Sequence, residues 1–368
     1  MKQGENIRKR KDGRFECRII DCYTETGKAH YKSIYGKTYT QLQNNMDDYF
    51  NNRNKILMNT LCDEWLEAVR IKVKQSTYAN YYSNVNNHIK SYFKNYTLKM
   101  IDNSSINCMI KEKSINGRLD EKGGLSSKTI RNLVIILKQI IKYAEKKNYI
   151  ADFDYDFMLP KVQSSNFKVL TPKEQERLVY YLKSTINIEK IGVFLSLYAG
   201  LRIGEICALK WRDIDFDLEV LKINKTLQRI KNIDTDEKTK TKIIIDIPKS
   251  EKSIKDIPLP SFLLETLKQY KNKYSPNSYI LTGTPHKFVE PRLYEKKFKQ
   301  YLKEIKISGI KFHGLRHTFA TRAIENGFDV KSLSEILGHA SVEFTLKQYV
   351  HSSLELKKSS MERLAICY

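Results

Sequence analysis

Five side chains in the C-terminal half, Arg202, His313, Arg316, His339 and Tyr349, fall in an order that could serve phosphodiester cleavage. Opening such a bond without a metal needs a nucleophile, cations for the non-bridging oxygens and a proton donor for the leaving oxygen. Arg202 follows Gly200, which is expected to end one helix just before the next begins. A guanidinium and backbone N–H groups could converge there on one anion, with Glu205 one turn later to orient a cation. His313 and Arg316 are three apart, so on a helix they share a face and can address one phosphate. Gly338 would end a helix and Ser341 cap the next, leaving Tyr349 about two turns along it. Taken singly none of these is diagnostic: H-x-x-R arises by chance, and Tyr349 is one of 23 tyrosines. His317 is assigned a different helical face from His313 and a structural role; His351 could be either.

The elements that must carry these groups belong to a chain too long for one core, 368 residues with a net charge of +23. The surplus points to a polyanion, because each Lys or Arg docked on a phosphate releases condensed counterions. No run of about 18 apolar residues could cross a bilayer. The start of the chain lacks the apolar stretch of a signal peptide, so a cytoplasmic protein bound to nucleic acid is expected. The cysteines at 17, 22, 62, 108, 207 and 367 show no C-x-x-C spacing and read as reduced. The histidines form no metal pattern, and neither a metal nor a cofactor is expected.

Three textures follow one another. Residues 1–55 open with the basic run Arg8, Lys9, Arg10 and Lys11, with Arg14 close behind. Strand-like stretches follow around Phe15–Ile20 and before Gly36, joined by a turn at 24–27, and a helix is expected over 40–51. Clustered basic residues on a small sheet suggest a DNA contact. Residues 56–160 read as helical. Ser126 caps the clearest helix, whose stripe Ile130, Leu133, Val134, Leu137, Ile140, Ile141 and Ala144 is core. After a linker, Thr171-Pro172-Lys173-Glu174 opens a third region, 165–368, with a capping box. It is mostly helical, apart from strands between about 220 and 259. There, 242–248 and 254–258 are expected to pair as a hairpin.

The ordered set, with the words A-G-L-R-I-G-E-I-C-A-L-K-W, H-G-L-R-H-T-F-A-T and L-G-H-A-S, resembles the active site of the tyrosine recombinase (phage integrase) family. These motifs lie within residues 165–352. The middle region is similar to the family's core-binding domain, and the N-terminal segment to the arm-binding sheet of conjugative-transposon and phage integrases. The resemblance implies a multidomain chain: a small N-terminal β-sheet arm-binding domain, an all-α core-binding domain and an α+β, mostly helical catalytic domain. It also implies a catalytic lysine, which falls on Lys249, with Lys252 and Lys255 as rivals. Many relatives carry Arg where this chain has Lys255.

The mechanism it implies has Tyr349 attack a scissile phosphate, leaving a 3′-phosphotyrosyl bond and a free 5′-hydroxyl. Arg202 and Arg316 clamp the phosphate, His313 is base or phosphate donor, His339 adds a hydrogen bond and Lys249 protonates the leaving oxygen. The partners implied are double-stranded DNA at core and arm sites, a homotetramer passing through a Holliday junction, and an accessory directionality factor. The tail from Leu354 to Tyr368 could dock on a neighbouring subunit or on its own domain. Other readings are a type IB topoisomerase-like enzyme, a chromosome-dimer resolvase and a DNA-binding regulator that never cuts. The basic N-terminal region argues against the first two, and the ordered phosphate ligands against the third.

Overall fold

Strands that draw on Ile, Phe and Tyr build the first element. In the computed structural model, β1 (Ile7–Lys9), β2 (Phe15–Tyr23) and β3 (Ala29–Gly36) form an antiparallel sheet in that order. The residues described are 7–23, 29–54, 56–162, 167–184, 186–233, 239–246, 254–339, 341–349 and 361–362, with side chains at 20–23, 29–30 and 50–54 excepted. The turn at 24–27, Lys249, Lys252, His351 and the tail apart from Met361 and Glu362 therefore lie outside them. β1 was not anticipated. The strand-like stretches were expected to begin at Phe15, yet Arg8 of the basic run pairs with Glu16 and Lys9 with Phe15 along β2.

Helix α1 (Tyr39–Asn54) covers one face of this sheet, where Cys17 and Leu42 are buried. The alternation of the strands then sends Arg8, Glu16, Arg18, Tyr31, Ser33 and Tyr35 to the opposite face. Contacts group residues 1–164 together with 231–240 into one unit. Its helical core comprises α2 (Met58–Arg70), α3 (Gln75–Asn84), α4 (Lys90–Tyr92), α5 (Asn103–Asn116) and α6 (Ser127–Lys146), with one wide helical turn between α3 and α4. The Ser126 hydroxyl accepts from the Thr129 N–H at 3.2 Å. Every residue of the predicted stripe from Ile130 to Ala144 is buried, and all but Leu133 share a cluster with Leu61, Trp65, Ile89 and Phe93.

The second unit holds residues 165–230 and 241–368. Its helices are α7 (Pro172–Ser184), α8 (Ile188–Ala199), α9 (Ile203–Ala208), α10 (Ser261–Lys271), α11 (Pro291–Glu304), α12 (Phe312–Glu325), α13 (Val330–Leu337) and α14 (Val342–Tyr349). α7 starts as its capping box dictates, with the Thr171 hydroxyl accepting from the Glu174 N–H and Glu174 accepting from the Thr171 N–H. α8, apolar nearly all round, runs through the core, with Ile191, Val193 and Leu195 out of reach of solvent.

The strands are β4 (Ile214–Asp215), β5 (Val220–Ile223), β6 (Thr226–Lys231), β7 (Thr241–Asp246) and β8 (Lys255–Pro258). Here the expected hairpin is corrected. β8 pairs antiparallel with β5, while β7 pairs with β6. β8 alternates buried and exposed, so Lys255 and Ile257 point inward alongside Leu221 and Ile223. That alternation suits a three-stranded sheet backed by the core.

Candidate active site

Two glycines in left-handed backbone set up the site. Gly200 at the end of α8 has φ +65° and Gly338 at the end of α13 has φ +61°, a region that favours glycine. Each reverses the chain sharply and turns carbonyls inward. Arg202 follows as the residue capping α9. Its own N–H donates to Glu205 Oε2 at 2.9 Å and its Nη1 to Glu205 Oε1 at 2.8 Å. The expected free N–H at this helix start is thus occupied by a carboxylate, and what Arg202 offers an anion is its guanidinium. That group is half-buried, with Nη2 3.5 Å from the Gly338 carbonyl.

α12 supplies His313, Arg316 and His317. Arg316 is 1% exposed, and its Nη1 and Nη2 donate to the carbonyls of Gly200 (2.8 Å) and Leu337 (2.6 Å). Burial, and then the Arg202 charge, lower its pKa to about 10. The His313 ring reaches solvent, yet the protein packed along it, then Arg316 and Arg202, hold its pKa below the ordinary value. His317 corrects the sequence reading. Residues four apart on a helix are neighbours, and its ring meets that of His313 edge-on at 4.7 Å. The i, i+4 spacing was the available signal. His317 Nδ1 lies 2.8 Å from the Tyr349 hydroxyl, so it touches the candidate nucleophile directly.

Ser341 caps α14 through the Phe344 N–H at 3.3 Å, and Tyr349 lies at the end of that helix. It is 7% exposed and packs with Ala320, Leu333 and Leu337. Its ring lies parallel to that of His339, 6.2 Å away, and His339 Nδ1 is fixed by the Thr345 hydroxyl at 2.8 Å. Burial raises the Tyr349 pKa, against the pull of Arg316 and Arg202. Burial first, then Arg316, Arg202 and Lys255, depress His339 to about 3, so its ring is neutral near pH 7. Arg202, His313, Arg316, His339 and Tyr349 are thus gathered in one place from α9, α12, the end of α13 and α14.

Lys255, a rival for the lysine role, also reaches this cluster. Its ammonium donates to the Ile336 carbonyl at 2.5 Å, and burial lowers its pKa to about 7 against the attraction of Glu205. Burial alone would raise the Glu205 carboxyl, but Lys255, Arg202 and Arg316 hold it below the ordinary range. Lys249, the first choice from sequence, lies outside the described residues.

The basic residues of the N-terminal sheet are ordered by two carboxylates, Glu16 and Asp12, and by tyrosines. Glu16, 3% exposed, accepts from the Ser33 hydroxyl at 2.6 Å and from Arg8 Nε at 3.0 Å, with Arg10 at 3.4 Å. Arg10 and Arg14 lie over the Tyr35 ring and Arg18 over Tyr31 at 4.4 Å. Arg14 is also held by Asp12 at 2.8 Å. Lys9 departs to the other face, 5.7 Å from the Phe15 ring, and Lys11 is exposed in the turn.

Residues 168–355 match the phage integrase family, and residues 58–114 the phage integrase N-terminal SAM-like domain. The chain belongs to the phage integrase family, and its enzyme class is that of the tyrosine recombinases. A tyrosine recombinase XerC-like protein of Caldanaerobacter subterraneus subsp. tengcongensis is 29% identical, covering 92% of this chain and 93% of its own. The transposase from transposon Tn916 of Enterococcus faecalis is 26% identical over 99% of this chain and 94% of its own. Among solved structures, the Tn1549 transposon integrase in complex with a circular intermediate DNA superposes with a TM-score of 0.65 at 22% identity, covering 83% of this chain and 99% of that one. A lambda integrase tetramer bound to a Holliday junction gives 0.57 at 20% identity, over 93% and 97%. The two solved structures establish a shared fold. No helix among the described residues is long and apolar enough to cross a membrane.

Proposed function

We propose that this chain is a site-specific DNA recombinase of the integrase type, which joins and releases a mobile element by way of a 3′-phosphotyrosyl intermediate. The observation that carries the reading is the convergence of two guanidiniums, Arg202 and Arg316, with the Tyr349 hydroxyl in one cluster. The Tyr349 O–H bond breaks as its oxygen bonds to phosphorus, and the bond from phosphorus to the 5′-oxygen breaks. Arg202 and Arg316 hold the non-bridging oxygens, where charge-assisted bonds are strongest. His313 takes the phenolic proton or donates to the phosphate, and neutral His339 adds a hydrogen bond. Lys249 delivers a proton to the departing 5′-oxygen. Because the phosphotyrosine retains the bond energy, the 5′-hydroxyl of a partner strand reverses the step, with neither ATP nor a metal.

Residues 1–55 serve as the arm-binding domain, 56–160 as the core-binding domain and 165–368 as the catalytic domain. Arg8, Arg10 and Arg14 on one face of the sheet, with Lys9 on its other face and Lys11 in the turn, meet arm DNA. Four copies act together on two duplexes in the cytoplasm, on the chromosome, and an accessory factor sets direction. The named complexes of the Tn1549 and lambda integrases with DNA support this assembly.

The test uses a nicked suicide duplex selected from a random-sequence library by covalent capture with the wild-type protein. Wild type forms an adduct that survives denaturation, and Tyr349→Phe forms none. An adduct with Tyr349→Phe removes Tyr349 from its role. For Lys249→Ala, cleavage is expected to slow and to recover when the leaving 5′-oxygen is replaced by sulfur. Failure to recover moves the acid role to another group.

A further inference from the structure

Before DNA arrives, the Tyr349 hydroxyl already has a hydrogen-bond partner, His317 Nδ1 at 2.8 Å, and no other among the described residues. The imidazole is held on two sides. Phe167 stacks on it with centroids 4.2 Å apart and 27° between planes, and the His313 ring abuts it edge-on at 4.7 Å. Its second nitrogen, Nε2, is buried and has no hydrogen-bond partner among the described residues. A buried histidine with a purely structural task ordinarily has its polar atoms satisfied. Here the ring is locked by packing so that a single nitrogen is spent, and it is spent on the phenol.

We propose that His317 is a positioning residue for the nucleophile, holding the Tyr349 hydroxyl at the mouth of the phosphate cluster so that attack needs little reorientation. The inference rests on the reading of Tyr349 as nucleophile. Burial, with help from His313 and Arg316, lowers the His317 pKa to about 4. The ring is therefore neutral near pH 7 and a weak acceptor of a full proton, which suits holding the hydroxyl better than deprotonating it. Fixing one rotatable side chain in a near-attack orientation removes an entropic part of the barrier.

The experiment is single-turnover cleavage of the suicide duplex described above, with DNA half-saturation measured alongside. His317→Phe keeps a ring against Phe167 and removes the hydrogen bond to the phenol. It is expected to cleave about tenfold more slowly, the scale of one hydrogen bond, with half-saturation unchanged. In His317→Asn the amide sits where Nδ1 does, and most of the rate should return. The inference is overturned if His317→Phe cleaves as fast as wild type or faster, if His317→Asn is as slow as His317→Phe, or if the loss follows DNA affinity. Should His317→Phe fail to fold, His317→Asn is compared with His317→Gln, whose amide reaches the Nε2 position instead. A faster Asn variant supports the inference and equal rates overturn it. Tyr349→Phe separates the two levels. If it still forms adduct, the nucleophile reading falls; if it does not and the His317 variants cleave normally, only the positioning role falls.

Discussion

Arg316 and Lys255 are charges enclosed by protein, and each reports on the site in its own way. The Arg316 fork satisfies the carbonyls of Gly200 and Leu337, the two chain reversals that shape the cluster. Arg316→Lys keeps a charge but loses the fork, so one carbonyl stays buried and unpaired at a cost of about 1–3 kcal/mol. Cleavage should fall by about two orders of magnitude, as when one preorganised donor to a transition state is removed. Thermal melting and single-turnover rates check both, and a variant with wild-type cleavage would contradict the phosphate role. Lys255 gives a pH signature. Its folded pKa of about 7 lies below the ordinary 10.5, so between those values the unfolded chain holds a proton that the folded chain has shed. Stability from this group therefore rises with pH from about 7 upward, and the full penalty of burying the charge applies below it. Lys255→Met should flatten the rise in denaturant midpoint between pH 7 and 9. An unchanged slope would show that this amine titrates normally. At this scale the residues that would meet at one cluster were legible because their types and order are specific, and Arg202, Arg316, His339 and Tyr349 do come together. His317 was missed through its assignment to the wrong helical face, and the burial of Lys255 was not foreseen because nothing local reveals that β8 turns it inward.

Helix ends were the most readable elements, since a cap is decided within four residues. Ser126, Thr171, Ser341, Gly200 and Gly338 all act as their chemistry requires. Both glycines resist substitution. A non-glycine residue in left-handed backbone costs about 1–3 kcal/mol. At Gly200 a Cβ would also lie 2.7 Å from the Phe319 ring. Gly200→Ala should therefore lower the melting temperature, and displace Arg202, two residues on, enough to slow cleavage. A melting temperature equal to that of wild type would show that the turn and the Phe319 ring accept a Cβ at no cost. The strands were harder to read. The apolar runs at 242–248 and 254–258 both look like strands, and nearness in sequence suggested pairing them. Their true partners, β6 and β5, are selected by which face must be buried against the core. A local pattern carries no such information. β1 was hidden for a related reason: its charged residues are stabilised from outside, by Glu16 and Tyr35 across the sheet.

Across the whole molecule, the +23 charge and the sheet face bearing Arg8, Arg10 and Arg14 predict strongly salt-dependent DNA binding. Each phosphate deprived of its arginine should reduce the log–log salt slope by about 0.9. The triple variant Arg8→Ala, Arg10→Ala, Arg14→Ala should flatten the slope for arm-containing DNA by up to about threefold that amount, leaving catalytic-domain cleavage of a core duplex intact. An unchanged slope would assign the sheet another partner. The account as a whole stands on a single covalent bond, which can be read chemically. Adduct formed with the selected duplex is digested with protease and nuclease, and the surviving nucleotide–peptide is sequenced by mass spectrometry. A nucleotide joined through its 3′-phosphate to the Tyr349 phenol is the result expected. A phosphate on any other residue, or attachment through a 5′ end, would contradict the account.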